Sequence, residues 1–497
     1  FFPLKFFSII ILFGGLIFFV VGYKKKIYRI RFLFFFLFFL ILNFITYYNG
    51  INVDSSISHL QTLNWMILSK VNFGITNLNI RFGQNSSWHS FLALTDIKNN
   101  FVNLKFFLSS IIFSIAIYSS LFKKKYFISD VFLFLSISYL LFFSFLHPFV
   151  NGPILNQLGN PEVDTVAMFL YFLSVYYFLK LFENNSEGNS KDINYLVILI
   201  FLAISVKISN ASLFFLLLYI VISHKNYRIF NFSNLFVVIT SFLWLLKSFV
   251  LSGCLIFPIN QTCIQTSWTN IAETDLHNKI IQSFSRDTRL RENYMDFDYT
   301  LKSNDWIKPW FEDYFMNTAI LQISMFLIIL SLSVIFLSLV LEKLKIKNSI
   351  NLNKFPFTVI ILFFVISIYV WFKAPEVRFG SGLIISLPCI LIAISLYKFN
   401  LIKYLNYKNT IFCIFTLLIM LVFKHYQKFE IDHLVLNNRN EKNYENINKI
   451  FENNEIEIFH SPNWRCGEFP KICVNNKRDN YEIAKKLNYR IFLKEEN

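Results

Sequence analysis

Apolar segments long enough to cross a lipid bilayer are the feature that most constrains the fold of this sequence. A membrane-spanning helix needs roughly 17 to 25 apolar residues. Such segments lie near 4–22, 28–47, 104–121, 129–147, 163–181, 232–250, 316–341, 356–372, 379–398 and 409–424. The stretch 194–224 is too long for one crossing, and Lys207, Ser209 and Asn210 interrupt it, which predicts two short spans meeting in a hairpin. The sequence therefore predicts an all-α polytopic membrane protein with about twelve transmembrane helices.

The composition supports this class and excludes a nucleic-acid partner. Hydrophobic residues make up 55% of the chain and charged residues only 16%, more apolar surface than a water-soluble core could hide. The formal net charge is +16. Many of the basic residues flank apolar segments, as the positive-inside rule expects of cytoplasmic loops. We therefore expect the lipid bilayer, and no nucleic acid, as a partner.

The basic clusters also predict the orientation of the chain. They fall between alternate spans, which makes the following residues cytoplasmic: Lys24–Lys26, Arg29, Arg31, Lys123–Lys125, Lys225, Arg228, Lys343, Lys345, Lys347, Lys398, Lys403 and Lys408. The outer side then receives 48–103, 148–162, the hairpin at 207–210, 251–315, 373–378 and the tail 425–497. This predicts a transmembrane domain over 1–424 and a small outer cap over 425–497.

Four cysteines fall on the predicted outer side. Cys254 and Cys263 lie in the loop 251–315, and Cys466 and Cys473 lie in the tail. Two close pairs on an oxidising side predict two local disulfides, the alternative being free or differently paired thiols. Cys389 and Cys413 lie inside spans and are expected to be buried thiols.

The first outer loop carries the earliest candidate site residues. Asp54 and His59 follow the second span directly, and residues 54–69 have the pattern of an amphipathic helix lying along the membrane surface. Asp54 could equally act as a plain helix N-cap, and His59 could be a surface histidine. Arg81, Asn85 and Trp88 follow in the same loop.

Three further polar positions lie at the outer ends of predicted spans. Glu162 and Asp164 precede the fifth span, where the helix dipole alone would favour them. Lys207 interrupts an apolar segment, which indicates a functional residue, although snorkelling to the interface is an equal alternative. Arg378 opens a span and could bind a lipid phosphate or serve as an interfacial anchor.

These positions carry a resemblance to a group of bacterial multipass proteins that are similar to GT-C glycosyltransferases, the superfamily of protein O-mannosyltransferases and the lipid A aminoarabinose transferase. The group has a first outer loop of the form D-x-x-x-x-H-L, then R-x-x-x-N-S-S-W, and Asp54–Leu60 and Arg81–Trp88 match it. Other motifs of the group match in the same order: Pro161 with Asp164, Lys207–Ser209, Ala374–Phe379, and Cys466 with Cys473.

The resemblance implies a GT-C-like bundle with interfacial helices in its outer loops and a small disulfide-bearing C-terminal tail. It implies transfer of a sugar from a polyprenyl-phosphate donor to a glycan, lipid or protein acceptor on the periplasmic face of the bacterial inner membrane. Asp54 would be the general base, Arg378 and Lys207 would neutralise the phosphate, and Asp164 would position a substrate. His59 would orient Asp54 or bind phosphate.

The remaining roles implied by the resemblance concern substrate contacts and metal ions. Arg81, Asn85, Trp88 and Glu162 would contact substrate. No cofactor or metal ion is required, although Asp54, Glu162 and Asp164 could supply ligands to a divalent cation. Two other classes stay open: an O-antigen polymerase or ligase, and a transporter or lipid flippase without catalytic activity. A flippase would favour paired ionisable residues at mid-membrane or inverted repeats, and the sequence has neither.

Overall fold

The computed structural model describes most of the chain and leaves gaps between the described ranges. The described residues are 33–43, 54–68, 72–95, 108–121, 123, 125–146, 160–183, 190–224, 232–287, 295–343, 356–436, 448–453, 456–461, 472–474, 481–486 and 489–494. Several predictions lie outside them: the span 4–22, most of the outer segment 148–162, Cys466, and the basic residues Lys24–Lys26, Arg29, Arg31, Lys124, Lys225, Arg228, Lys345 and Lys347.

The described part of the chain is predominantly helical. Its principal helices are α1 (Leu33–Asn43), α2 (Leu60–Leu68), α3 (Ser87–Leu94), α4 (Leu108–Ser120), α5 (Ile128–Leu146), α6 (Asp164–Glu183), α7 (Ser190–Val206), α8 (Phe214–His224), α9 (Phe232–Ser252), α10 (Ile271–Arg286), α11 (Ala319–Lys343), α12 (Phe357–Phe372), α13 (Val377–Lys398) and α14 (Tyr407–Leu436). Shorter turns are π-helical at Ser55–His59, Asp298–Lys302 and Trp310–Phe315, α-helical at Ile307–Pro309, and 3-10 at Ile75–Asn77, Ile80–Gly83, Ile208–Leu213, Asn260–Thr262 and Leu401–Tyr404.

Six helices within the described ranges are long and apolar enough to cross a membrane. They contain Ile128–Phe145, Asp164–Glu183, Leu235–Ser252, Ala319–Leu341, Val377–Lys398 and Tyr407–Lys424. Each coincides with a span predicted from the sequence. The predicted interruption at Lys207 is also present, because α7 ends at Val206 and Lys207 has an extended backbone. The count of twelve spans stays a prediction.

The apolar helices divide into a central pair and a peripheral set. Helix α6 is buried along most of its length and packs against α4, α5, α7 and α13. Helices α9, α11 and α14 instead turn large side chains outward, among them Phe236, Phe336 and Phe412. Exposed apolar surfaces of this extent mark contact with a membrane or a partner, and on helices of spanning length they fit contact with lipid.

The segment after Asp54 is helical where the sequence predicts it, and it is more buried than a surface helix. The π-helical turn Ser55–His59 continues into α2, whose Leu60, Gln61, Thr62, Leu63 and Trp65 are all buried. A helix lying on a membrane surface exposes its polar face. The burial of polar residues together with leucines shows that α2 packs inside the protein, where it contacts α3 and the tail.

The C-terminal tail adds short strands to the predicted all-α class. Strands β2 (Asn448–Asn453), β3 (Ile456–His460) and β4 (Ile472–Val474) form one sheet in the order β2-β3-β4. Strands β5 (Tyr481–Lys486) and β6 (Tyr489–Lys494) form a second sheet with β1 (Asn72–Phe73) of the first outer loop, in the order β1-β6-β5.

These strands dock the tail on the loop that carries Asp54. Strand β6 pairs in parallel with β1, with Asn72 opposite Arg490, and the backbone N–H of Cys473 donates to Oε1 of Gln61 at 2.9 Å. The tail and the first outer loop therefore lie on the same side of the molecule, as the sequence predicts.

One of the two predicted disulfides joins residues that the structure describes. Cys254 and Cys263 are bonded in the loop after α9. The chain reaches Cys254 through Gly253, whose φ of +80° is a conformation that favours glycine, and a Cβ there would meet Thr269. The pairing of Cys466 with Cys473 stays a prediction. Cys389 is a free, buried thiol as expected, and Cys413 is free and half-buried.

The contact between α6 and α13 leads to a test of the fold. A Cβ on Gly382 would lie 2.8 Å from Cγ of Tyr171, so Gly382→Val should force the two central helices apart and lower stability by about 1–3 kcal/mol. Ser333→Val on the exposed face of α11 is the matched control. Thermal unfolding in detergent measures both variants, and equal midpoints would argue against this helix contact.

Candidate active site

Six charged residues from separate parts of the chain meet at one end of the apolar helices. We call Asp54, Arg81, Asp164, Lys207, Glu376 and Arg378 the ion-pair cluster. Asp54 and Arg81 come from the first outer loop, Asp164 begins α6, Lys207 follows α7, and Glu376 and Arg378 stand at the start of α13. The structure thus brings together Asp54, Asp164, Lys207 and Arg378, which the sequence predicts on one side of the membrane.

The inner part of the ion-pair cluster is the pair Lys207–Asp164. Its Nζ and Oδ1 atoms are 2.5 Å apart, and the two side chains are only 12% and 13% exposed. The Nζ of Lys207 also donates to the backbone carbonyl of Arg378 at 2.7 Å. The ammonium therefore binds inward, to two helix starts, instead of snorkelling to the interface.

The outer part of the cluster surrounds Arg378. Its Nη1 lies 2.6 Å from Oδ2 of Asp54, and its Nε lies 3.0 Å from Oε2 of Glu376. Arg81 approaches the other oxygen of Asp54 at 4.0 Å. The side chain of Asp54 makes no capping hydrogen bond to the described turn that follows it, so it is not a helix N-cap here. Asp54 is 38% exposed and lies at the accessible end of the cluster.

The charges of the cluster cancel, and an aromatic ring joins its two halves. Three carboxylates face three cations. Both Lys207 and Arg378 lie over the ring of Phe379, at 4.8 Å and 5.1 Å from its centroid. An anionic ligand entering this cluster must compete with a carboxylate for a cation, so binding would rearrange the ion pairs.

Two histidines adjoin Asp54. The bonds of a π-helix connect residues five apart, which is the spacing of Asp54 and His59 across the turn Ser55–His59. The ring of His59 lies 4.9 Å from that of His89, and Nε2 of His89 is 3.0 Å from the carbonyl of Pro161. Sequence analysis missed His89, although it directly follows the N-S-S-W motif.

Burial keeps these rings neutral at pH 7. It lowers the pKa of His59 to about 4, against the opposing attraction of Asp54 and Asp164. It also lowers the pKa of His89 well below 6.5, and Lys247, together with His59 once that ring is protonated, adds to that effect. Neutral imidazoles can accept or donate a hydrogen bond beside Asp54 without adding charge to the cluster.

Asn85 and Trp88, predicted as substrate contacts, pack against neighbouring helices. The Nδ2 of Asn85 donates to the carbonyl of Trp244 at 2.6 Å, and Nε1 of Trp244 donates back to the carbonyl of Asn85 at 2.8 Å. Trp88 is buried within the apolar core. These contacts tie α3 to α9 and hold the first outer loop in place. Glu162, the remaining predicted contact, is buried two residues before α6.

An aromatic group fixes the backbone that carries Glu376 and Arg378. Nε1 of Trp310 donates to the carbonyl of Pro375 at 3.1 Å, and Nε1 of Trp371 donates to that of Glu376 at 2.9 Å. The N–H of Val377 donates to the hydroxyl of Tyr314 at 3.0 Å. These contacts position the start of α13.

Within the described ranges no group of three or more His, Cys, Asp or Glu side chains is arranged to hold a metal ion. The carboxylates of Asp54 and Asp164 each face a cation.

The difference in burial between the two ion pairs predicts different effects of neutralising each carboxylate. Asp164→Asn leaves the buried Lys207 without its counter-charge and should cost about 3–5 kcal/mol of stability. Asp54→Asn changes a partly exposed pair and should cost about 0–1 kcal/mol. Unfolding of both variants in detergent measures which loss of stability is larger. The double variant Asp164→Asn/Lys207→Met, which also removes the unpaired charge, should recover part of the stability lost by Asp164→Asn. Equal losses would contradict it.

Three histidines with lowered pKa values, His59, His89 and His277, predict a loss of stability in acid. His277 stacks on Phe257, and burial, with a contribution from Arg81, lowers its pKa to about 4. Each of these imidazoles binds a proton more readily in the unfolded protein than in the folded one. The stability that the neutral ring contributes is therefore fully present above pH 6.5 and is lost as the pH falls toward 4. The slope is up to about 1.4 kcal/mol per pH unit for each ring.

The temperature of the unfolding midpoint in detergent should therefore decrease as the pH is lowered from 7 to 5. His277→Gln should show a shallower fall because the amide does not titrate. A midpoint that stays constant, or rises in acid, would mean that the rings are not buried in their neutral form.

Comparison with known proteins gives one match. No curated protein and no solved structure matches the sequence. A family model described as "Domain of unknown function (DUF8201)" matches residues 1–385, which include the ion-pair cluster and the start of α13. The match covers well over half of the chain, and the chain belongs to this DUF8201 family.

Proposed function

We propose that this protein is a membrane glycosyltransferase of the GT-C kind. It transfers a sugar from a polyprenyl-phosphate donor to an envelope glycan, lipid or protein acceptor. In this proposal the chain crosses the bacterial inner membrane about twelve times, the ion-pair cluster faces the periplasm, and a second disulfide, Cys466–Cys473, braces the tail. The six apolar helices, the interruption at Lys207 and the shared side of tail and first loop support this arrangement.

The observation that carries the proposal is the 2.6 Å contact between Asp54 and Arg378. In glycosyl transfer a single carbon of the sugar lies between the attacking hydroxyl oxygen and the departing phosphate oxygen. A base for the hydroxyl and a cation for the phosphate must therefore lie within a few ångströms of each other. Asp54 and Arg378 meet this requirement, and Lys207 adds a second cation through its bond to the Arg378 carbonyl.

The proposed reaction uses the two halves of the ion-pair cluster in different ways. Asp54 accepts the proton of the acceptor hydroxyl as general base. The hydroxyl oxygen forms a bond to the anomeric carbon as the bond from that carbon to the phosphate oxygen breaks. The electron pair leaves with the polyprenyl phosphate. Arg378 and Lys207 stabilise the negative charge that develops on this leaving group.

The other predicted residues support these two roles. His59 lies one π-helical turn after Asp54 and orients its carboxylate. Asp164 holds Lys207 and thereby positions the donor phosphate. Arg81 contacts the acceptor at the outer edge, and Glu162 contacts substrate from its buried position before α6. Asn85 and Trp88 act through the packing of the first loop. Because the charges of the cluster cancel, donor binding exchanges the Asp54–Arg378 contact for an Arg378–phosphate contact and frees Asp54 as a base.

Sugar transfer in proteoliposomes tests this function. Labelled polyprenyl-phosphate sugars are supplied with an envelope extract as acceptor, and Asp54→Asn should lower the transfer rate by about 10²- to 10⁴-fold, the usual contribution of a general base. The matched control is Asp192→Asn, which breaks the 2.8 Å pair Lys180–Asp192 that joins α6 to α7 at their other ends.

Asp192→Asn should keep most of its specific activity after correction for folded protein. Transfer at the wild-type rate by Asp54→Asn would remove Asp54 from the mechanism. No transfer by the wild-type protein from any polyprenyl-phosphate sugar would reject the proposed function.

A further inference from the structure

A cation outside the ion-pair cluster, Lys247, lies near His89 without a carboxylate partner. The Nζ of Lys247, in α9, donates to Oγ of Ser90 at 2.7 Å. In the described part of the chain no carboxylate lies within ion-pair distance of Lys247, whereas Arg81, Lys207 and Arg378 each face one. Lys247 lies five residues before the end of α9, or about 7.5 Å along the helix. This is a depth that a lipid headgroup or its attached glycan can reach.

An unsatisfied acceptor adjoins this cation. The side chain of His89 is 1% exposed. Its Nε2 faces the carbonyl of Pro161, which can only accept, so Nε2 carries the proton and Nδ1 is the unprotonated nitrogen. This Nδ1 has no hydrogen-bond partner among the described residues. A buried acceptor left unpaired is costly, which indicates a missing donor.

The three groups form one small constellation. His89 and Ser90 are consecutive in the first turn of α3, and Lys247 is close enough to His89 to act on it electrostatically. The positive end of the α3 dipole adds to the charge of Lys247. The constellation therefore offers an ammonium, a hydroxyl and an unprotonated nitrogen, with an excess of positive charge.

A phosphate monoester matches this set of groups. Its anionic oxygens accept hydrogen bonds from Lys247 and Ser90, and its P–OH donates to Nδ1 of His89. A carboxylate or a sulfate ester carries no hydrogen to donate to Nδ1 at neutral pH, so each would leave that nitrogen unpaired.

We propose that Lys247, Ser90 and His89 bind a phosphate monoester group, and, resting on the proposed function, that this group belongs to the acceptor. The site adjoins His59, the neighbour of Asp54, because the rings of His89 and His59 lie against each other at a tilt. The donor phosphate takes the cations Arg378 and Lys207, so donor and acceptor have separate cations. The acceptor class is then a phosphorylated lipid or glycan.

Binding measurements on the full-length protein test the site. Inorganic phosphate is titrated against purified protein in detergent, with sulfate and acetate as comparison anions. In a parallel arm the protein is placed in phosphatidylcholine nanodiscs containing either phosphatidic acid, a lipid monoester, or phosphatidylglycerol, a lipid diester. Wild-type protein should prefer phosphate over sulfate and acetate. A stronger signal in the phosphatidic acid arm would identify a lipid source, and a signal with inorganic phosphate alone would identify a soluble one.

The variants distinguish the loss of a positive charge at the site from a general loss of folding. Lys247→Met should weaken phosphate binding by about tenfold or more, and Ser90→Ala, which keeps the charge, by a few-fold. Lys247→Arg, which keeps the positive charge, should retain most of the phosphate affinity of the wild type. It also shows whether this position tolerates substitution. Lys373→Met, at an exposed lysine on the predicted outer side, should bind like wild type and controls for general surface charge.

The outcomes are distinguishable from those of the glycosyltransferase test. Equal phosphate binding by Lys247→Met and wild type would overturn the site and leave the role of Asp54 untouched. No phosphate binding by wild type in either arm would also overturn it. Lys247-dependent phosphate binding by a protein that transfers no sugar would support the site and reject the proposed acceptor.

Discussion

The bond between Lys207 and Asp164 is the interaction on which the rest of the candidate site depends. An ammonium buried among apolar helices is costly without a compensating partner, and Asp164 supplies a counter-charge to Lys207 from the first turn of α6. The same ammonium binds the Arg378 carbonyl at the start of α13. Lys207 thus joins the ends of α7, α6 and α13, and this junction directs Arg378 toward Asp54 of the first outer loop.

The aromatic group and the tail hold the two sides of this junction. Trp310, Tyr314 and Trp371 bind the backbone before Arg378. Strand β6 and the Gln61–Cys473 bond hold the first loop that carries Asp54. The base and the phosphate-binding cation lie on different structural elements, each held by its own contacts. Small movements of these elements can therefore part the two groups when a substrate enters between them. A neutral ion-pair cluster in the free protein is consistent with this exchange.

Much of the fold and part of the site follow from the sequence. Apolar length predicts the spanning helices, and the basic clusters place Asp54, Asp164, Lys207 and Arg378 on one side, where the structure joins them. Tertiary burial cannot be read from one sequence. For this reason the sequence predicts α2 at the membrane surface, whereas the structure buries it, and the sequence does not single out His89. The pairing of β6 with β1 joins distant parts of the chain, which residue patterns do not reveal.

The lipid bound to the purified protein is the most direct test of the central claim that the ion-pair cluster holds a polyprenyl-phosphate donor. Native mass spectrometry of protein extracted gently from membranes should find a polyprenyl-phosphate-linked sugar on wild type and on Asp54→Asn, which keeps both phosphate-binding cations. The same lipid should be lost from a variant with Lys207→Met and Arg378→Met. Ordinary phospholipids alone on the wild-type protein, or retention of the polyprenyl lipid without both cations, would contradict the account.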